Sequence, residues 1–304
     1  MLTHFARIAV DEVLRRSPLQ TGMKRWSSRR LRVVAYHGVD DPIQFEQHLR
    51  HVQAHARPVG QDQVLEHLRG TALPNGALLI TFDDGRRSVI ECGLPLLRRF
   101  RTPALVFVIA GHIDCDQPFW WDELEWLMRA HGPRRAAALK AELKRAPDDR
   151  RLAVLDELRS RGAPPLRTPQ LTRADLLQLQ SCGVEVGNHT LTHPILPNCR
   201  LEKAQEEIVR SHELLTRLLG RPPVAFAYPN GARDPRVEPL LADLGYQLVF
   251  GFDHRVNPAS LDPWNISRLR VDSSTSSSRL EVILSGLHPA IHAIRSARAR
   301  GSGV

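Results

Sequence analysis

The stretch "LLITFDDGRR", Leu78 to Arg87, decides the fold. An apolar run ends abruptly in two adjacent carboxylates and a glycine. The full run, "GALLITF" (76–82), is bounded by Asn75-Gly76 on one side and Asp83-Asp84-Gly85 on the other. Unbroken apolarity over so short a length predicts a strand buried on both faces. Outward from it, "LRVVAYHGV" (31–39), "PALVFVIA" (103–110), "VEVGNHT" (184–190), "VAFAYPNG" (224–231), "YQLVFGF" (246–252) and "WNISRLRV" (264–271) read as further short strands. Helical patterns lie between them: "FEQHLRHVQ", "QDQVLEHLR", "ECGLPLLRRF", a long helical segment from 119 to 180, "RLEKAQEEIVRSHELLTRLLG" ended by Gly220, and "PRVEPLLADLG". Strands alternating with helices specify an α/β protein with a largely parallel sheet, and a barrel or near-barrel is its natural closure.

The chain's 304 residues are enough for one large domain. No stretch reaches the ~18 uninterrupted apolar residues of a membrane span. Arg7, Asp11 and Glu12 interrupt the N-terminus before a secretory core can form. Four cysteines without a CxxC spacing fit a reducing compartment, so the expected location is cytoplasmic. The net charge is +9, with arginines gathered near both ends: Arg25, Arg29, Arg30 and Arg32, then Arg295, Arg298 and Arg300. No basic stripe is interleaved with aromatics and no zinc-finger or RNP pattern occurs, which argues against nucleic acid. An anionic membrane face, a phosphate-bearing substrate or a plain solvated surface remain for that charge. Phe5, Ile8, Ala9, Val13 and Leu14 lie at helical spacing. The helix 3–16 therefore either packs on the protein body or rests on a membrane surface. "DSSTSSS" (272–278) reads as a linker or loop.

Polar groups collect where strands end. His37-Gly38 follows the first strand, Asp83-Asp84-Gly85 the next, His189 to His193 another, and Pro229-Asn230-Gly231 a fourth. In a parallel barrel all four sets open into one mouth. His189 and His193 are four apart, so one helical turn would aim both imidazoles at a shared metal. HxxxH alone is weak in a chain with 14 histidines, and Asp-Gly alone is most often a turn. Together they supply two imidazoles and a carboxylate, leaving positions open for water and substrate. That arrangement also accounts for the paired aspartates. Adjacent carboxylates repel unless a cation sits beside them. One would ligate the cation while its neighbour stays free as a general base.

These residues resemble a known family. "TFDDG" (81–85), "HTLTH" (189–193) within "GVEVGNHTLTHP", and "FAYPNG" (226–231) are similar to the three central motifs of the polysaccharide deacetylases, the NodB-homology or carbohydrate esterase family 4 class. The resemblance spans roughly residues 31–271. It implies a distorted (β/α)7-type barrel with a helical insertion over about 119–180. Residues 1–30 then form an N-terminal helix and basic linker, and 272–304 form C-terminal helices and a basic tail. It further implies metal-dependent hydrolysis of an N-acetyl, sometimes O-acetyl, group on a sugar. Asp83 takes the place of the base. Asp84, His189 and His193 take those of the ligands to one divalent metal, zinc first, with cobalt, nickel or manganese as alternatives. The Asn230 backbone N–H would steady an oxyanion, with Tyr228 and Gly231 beside it on the substrate.

The sequence departs from the family in two places. Where the third motif usually carries a base-tethering arginine, this chain has Ala227; Arg268 is the preferred substitute and Arg233 the alternative. The usual Leu-x-His motif is absent, since Leu287 and His288 are adjacent. "VVAYHGV" instead resembles a permuted subgroup that includes poly-N-acetylglucosamine deacetylases, which makes His37, rather than His288, the expected general acid. Trp120, Trp121 and Asp122 follow a strand and are expected to line the sugar site or to anchor a helix. The implied substrate is an acetylated amino sugar in a polysaccharide or its lipid-linked precursor. The alternatives are a formyl or acetyl group on a nucleotide- or lipid-linked sugar, another C–N amide, and a non-catalytic carbohydrate-binding protein.

Overall fold

The structure, a computed structural model, describes residues 4–301. Eight strands form one parallel sheet: β1 Arg32–Tyr36, β2 Arg57–Pro58, β3 Ala77–Phe82, β4 Ala104–Val108, β5 Val184–Asn188, β6 Ala225–Ala227, β7 Leu248–Phe250 and β8 Leu269–Arg270. Seven of them follow the order β7-β6-β5-β4-β3-β1-β8, and β2 pairs with the start of β3. Ile266, just ahead of β8, bridges in parallel to Phe250 of β7 and so joins the two ends of the sheet. This is the distorted (β/α) barrel expected from the sequence.

The apolar runs are continuous because both faces of each strand are covered. β1, β3 and β4 are buried at every position. Successive side chains alternate between faces. Val33, Leu79, Leu105, Phe107, Ala227 and Phe250 fill the barrel, while Val34, Tyr36, Ile80, Phe82, Val106 and Val108 meet the surrounding helices. The register aligns the strand ends: Tyr36 with Phe82, Phe82 with Val106, Val108 with Asn188, Asn188 with Phe226 and Ala227 with Phe250. Whatever follows those residues therefore emerges at one rim.

Between β4 and β5, the helices Trp120–Leu127, Pro133–Leu143 and Asp148–Ser160 share a small core of their own, around Leu124, Leu143 and Leu155. The next helix, Arg173–Ser181, instead places Leu176 and Leu179 in the main core, as an ordinary crossover helix does. The helix Leu201–Leu219 ends at Gly220, whose φ of 74° suits a left-handed C-cap.

The chain ends meet each other. The helices His4–Arg16 and Pro18–Ser27 pack on Ser277–Leu284. Asp11 faces Arg279, and the buried Gln20 reaches the Glu281 carbonyl at 3.2 Å. The side chains of Phe5 and Ile8, and those of Arg298 and Arg300, lie outside the described residues. Val13 is 70% exposed, so it takes no part in the expected packing stripe. Among the described side chains, Asp11 and Gln20 make that contact. Residues 272–278 are no slack linker. The Ser273 hydroxyl accepts the N–H groups of Asp40 and Asp41 at 3.0 and 3.1 Å, and Ser276 caps the following helix. Among the described residues no helix is long and apolar enough to cross a membrane.

Candidate active site

The Asp83-Asp84 turn sends its two carboxylates different ways. Asp84 takes a left-handed backbone, φ 69°, followed by Gly85 at 74°. Aspartate tolerates this conformation better than most residues. Asp83 leaves the strand hydrogen-bonded to the Tyr36 carbonyl and meets Arg268, whose Nη1 donates to Oδ1 at 2.6 Å. Arg268 has no solvent exposure. Its Nε donates to the Gly251 carbonyl at 2.7 Å, and Phe107, Phe250 and Phe252 surround the guanidinium at 5.2–5.9 Å. Burial pushes the Asp83 carboxyl up. The charge of Arg268, then that of His189, and the Arg268 hydrogen bond together more than offset that and leave Asp83 below its ordinary value. Arg233, the other arginine considered for this tether, pairs with Glu238 instead.

Asp84 faces the histidines. Its Oδ1 is 3.6 Å from His189 Nε2 and 3.5 Å from His193 Nε2. One ligand atom from each of the three lies within 4.8 Å of the others. The HTLTH segment is not the helical turn expected from its spacing. It is a loop, with Thr190 at φ 69° and His193 at φ 58°. Its geometry comes from a residue the sequence reading missed. Glu207, wholly buried, accepts the Leu191 and Thr192 N–H groups at 3.0 and 2.8 Å and the Thr192 hydroxyl at 2.7 Å. One signal could have found it: Glu207 sits on the apolar face of its helix with Ala204, Ile208, Ser211 and Leu215.

These residues suit a divalent cation. His189 Nδ1 lies 2.7 Å from the Ala227 carbonyl, so it carries the proton and leaves the Nε2 lone pair toward Asp84. Burial lowers His189 to about 4 and His193 well below its ordinary value, which keeps both imidazoles neutral and able to ligate. Burial, then the neighbouring Asp83, raises Asp84 to about 8. A cation would relieve that charge. His193 Nδ1 is buried and has no hydrogen-bond partner among the described residues, whereas His189 has the Ala227 carbonyl.

The cleft that holds this centre has a volume of about 440 Å³. His37, Asp83, Asp84, His189, His193, Asn230, Gly231 and Trp121 all line it, so four strand ends do converge. Trp121 stands edge-on to His193, with ring centres 4.7 Å apart. Asn230 is left-handed at φ 57° and accepts a hydrogen bond from Lys144 Nζ at 3.1 Å. Gly231, at φ 69°, passes so close to Phe252 that a Cβ would lie 2.2 Å from it.

Other expected positions stand elsewhere. Tyr228 is buried against Phe226 in a side core rather than in the cleft. Trp120 turns away from Trp121 and lines a separate, larger cavity of about 710 Å³ between the insertion and the barrel, with Thr192 and Lys203 on the barrel side; Arg151 lies 5.1 Å from its ring. Neither aspartate of the turn lines that larger cavity, so its size does not make it the centre of the chemistry. Asp122 faces Arg86 at 3.4 Å from outside the cleft lining. His288 is held by His254 at 2.8 Å and Arg279 at 2.9 Å, beside the terminal helices and outside the cleft lining. A one-residue change of direction separates Trp120 from Trp121, and no local pattern says which of the two faces the cleft.

A parallel barrel with a buried Asp–Arg pair and an Asp/His/His cluster at its C-terminal rim has the outline of a metal-capable hydrolase. The chain belongs to the polysaccharide deacetylase family, whose model matches residues 71–249, and is by that membership a carbohydrate deacetylase. No curated protein matches the chain. Among solved structures, the deacetylase PplD of Streptococcus pyogenes, in complex with acetate, is similar with a TM-score of 0.61 at 18% identity, over 84% of this chain and 98% of its own. IcaB from Ammonifex degensii gives 0.61 at 22%, over 85% and 97%. The BpsB deacetylase domain from Bordetella bronchiseptica gives 0.56 at 18%, over 81% and 97%. At these identities the likeness is one of fold.

Proposed function

We propose that this barrel hydrolyses the N-acetyl group of an amino sugar, in a polysaccharide or its lipid-linked precursor, with Asp83 as general base and His37 as general acid. The observation that carries this reading is the division of labour in the aspartate pair: Asp83 on Arg268 at 2.6 Å, Asp84 on the two histidines. A divalent cation, zinc foremost, held by Asp84, His189 and His193 would supply Lewis acidity toward the amide carbonyl and toward water. Asp83, kept ionised by Arg268, takes the proton of the attacking water. The Asn230 N–H, presented by a left-handed turn, donates to the developing oxyanion. His37 reaches solvent at the cleft mouth, yet the protein around its ring desolvates it enough to hold it below the ordinary histidine value against the pull of Asp83, so that once protonated it is a strong acid toward the departing amine. Trp121, which lines the cleft, offers an aromatic surface to the sugar. Acetate and a free amino sugar result.

Metal content is the first test. The purified protein is expected to hold about one divalent ion per chain, and Asp84→Ala and His189→Ala to lose it together with acetate release. Because the Asp84 carboxyl lies near 8 without a cation, uptake displaces a proton. Affinity should therefore rise from pH 6 to pH 8, as calorimetry in buffers of different ionisation enthalpy would read. A protein that takes up no metal, even on reconstitution, would end the metal-dependent reading of this site.

His37→Ala is expected to slow amide hydrolysis by roughly 10²–10⁴-fold with metal retained. It should cost much less with an aryl acetate, whose leaving group needs no proton. His288→Ala should alter neither rate. Equal losses on both substrates from His37→Ala would remove His37 from the acid role.

We also propose contact with an anionic membrane or lipid-linked substrate through the N-terminal helices, where Val13 and Leu19 stand exposed near Arg16 and Arg25. Flotation with phosphatidylglycerol vesicles, but not with phosphatidylcholine vesicles, is expected, and Val13→Asp/Leu19→Asp should weaken it. Equal recovery with both lipids would refute this contact.

A further inference from the structure

The mouth of the cleft carries more positive charge than the hydrolysis uses. Arg86, Lys140, Lys144 and Arg270 all line it. Two of these are matched outside the cleft, Arg86 by Asp122 and Lys140 by Glu125. Lys144 and Arg270 have no carboxylate partner among the described residues. Lys144 caps the helix Pro133–Leu143 of the insertion, whereas Arg270 ends β8, so the two reach the cleft from different parts of the fold. The sole described partner of the Lys144 amine is the Asn230 side-chain oxygen at 3.1 Å, and the Arg270 guanidinium lies 4.5 Å from the Phe252 ring centre.

No acid within the cleft forms an ion pair with either of them among the described residues, although the charge of Asp84 acts on Lys144. Asp83 is bound to Arg268 and Asp84 faces the histidines. Asp272 lines the cleft but forms no ion pair among the described residues. Burial, and then the charges of Lys140 and Arg270, push the Lys144 amine below its ordinary value. Both side chains reach solvent at the rim, so the cost of their like charges is modest, but a neutral sugar polymer, offering only hydroxyls and amides, leaves it unrelieved. An anion relieves it. A planar guanidinium beside a mobile ammonium suits the tetrahedral oxygens of a phosphate.

Resting on the amino-sugar reading above, we infer that the natural substrate carries a phosphate ester or diphosphate next to the acetylated sugar, and that Lys144 and Arg270 receive it. The insertion thereby becomes a specificity element, because Lys144 belongs to it. A nucleoside diphosphate and a polyprenyl diphosphate present the same phosphate chemistry, and the substrate arms of the test separate them.

The test uses the full-length, zinc-loaded protein and a Lys144→Gln/Arg270→Gln variant checked for equal metal content. Amine release is followed from UDP-N-acetylglucosamine, from polyprenyl-diphosphate N-acetylglucosamine in detergent, and from neutral tri-N-acetylglucosamine. At least one phosphorylated substrate should exceed the neutral trimer by about tenfold or more in kcat/KM, and the variant should lose most of that ratio, chiefly through KM. Which phosphorylated substrate leads identifies the source. A preference for the neutral trimer, or a ratio unchanged in the variant, overturns the inference. Calorimetry with UDP as the probe separates it from the parent reading. UDP binding at least about tenfold weaker in the variant than in wild type, with no sugar hydrolysed, keeps the phosphate site and defeats the de-N-acetylation of amino sugars. Trimer hydrolysis with equal UDP binding does the reverse.

Discussion

Asp83→Asn is expected to lower acetate release by roughly 10²–10⁴-fold while the metal content of the purified protein stays at the wild-type level. The two halves of that expectation come from the turn geometry. Asparagine keeps the size of the side chain and an oxygen for the Arg268 Nη1 bond, but it cannot accept a proton from water. Asp84, His189 and His193 are untouched by the change. Acetate assay beside elemental analysis reads both at once. Turnover near the wild-type rate would move the base to another residue. Loss of metal together with turnover would mean that Asp83 holds the cation rather than the proton.

Arg268→Met should be the most damaging single change to stability. Arg268 is fully buried, and Asp83 is nearly so. Removing one partner of a buried pair leaves the other an uncompensated charge, at a cost of about 3–5 kcal/mol. For a chain of this size that corresponds to a melting temperature lower by on the order of 10 °C. The double variant Asp83→Asn/Arg268→Met should regain part of the loss, because it no longer buries a lone charge. The pH dependence has a definite sign. Arg268 depresses the folded pKa of Asp83, so their pairing stabilises the protein above the unfolded carboxyl pKa of about 4 and fades as pH falls through the depressed folded value. Without Arg268 the carboxyl rises, and Asp83 is protonated at less acidic pH. The acid limb of the activity profile should therefore move to higher pH in Arg268→Met, and the stability gap between the two proteins should narrow as the solution is acidified. An acid limb that stays in place would show that Arg268 does not tune the base.

The barrel was legible in the sequence because parallel strands covered on both faces must be apolar throughout, and "LLITF", "ALVFV" and "RVVAY" are short enough to be strands and bounded by turn residues. The polar residues at the strand ends were legible for the same reason. Once strands are parallel and in register, whatever follows them shares one rim, and His37, Asp83, Asp84, His189, His193 and Asn230 do share it. The shape of the HTLTH loop was not legible. Spacing of four suggests a helical turn, but Glu207, from a helix farther along the chain, supplies the acceptors for the loop N–H groups and permits the left-handed residues. Tyr228, Trp120 and Asp122 sit within a residue or two of cleft-lining neighbours and face other surroundings, since one step along a strand end or helix start redirects a side chain.

By itself, then, the sequence determined which segments are buried strands, in what chemical order their ends present carboxylate, imidazole and backbone donors, and hence the family of reaction. Those properties depend on neighbours a few residues apart. The tertiary structure settled the choice between Arg268, already preferred from the resemblance, and Arg233, because Arg268 is 185 positions away from Asp83 and reaches it only when β8 pairs beside β1. It also decided that Lys144 of the insertion and Arg270 of the barrel share one mouth. Long-range partners are set by chain closure and side-chain packing, and those contacts leave no period in the sequence from which they could be read.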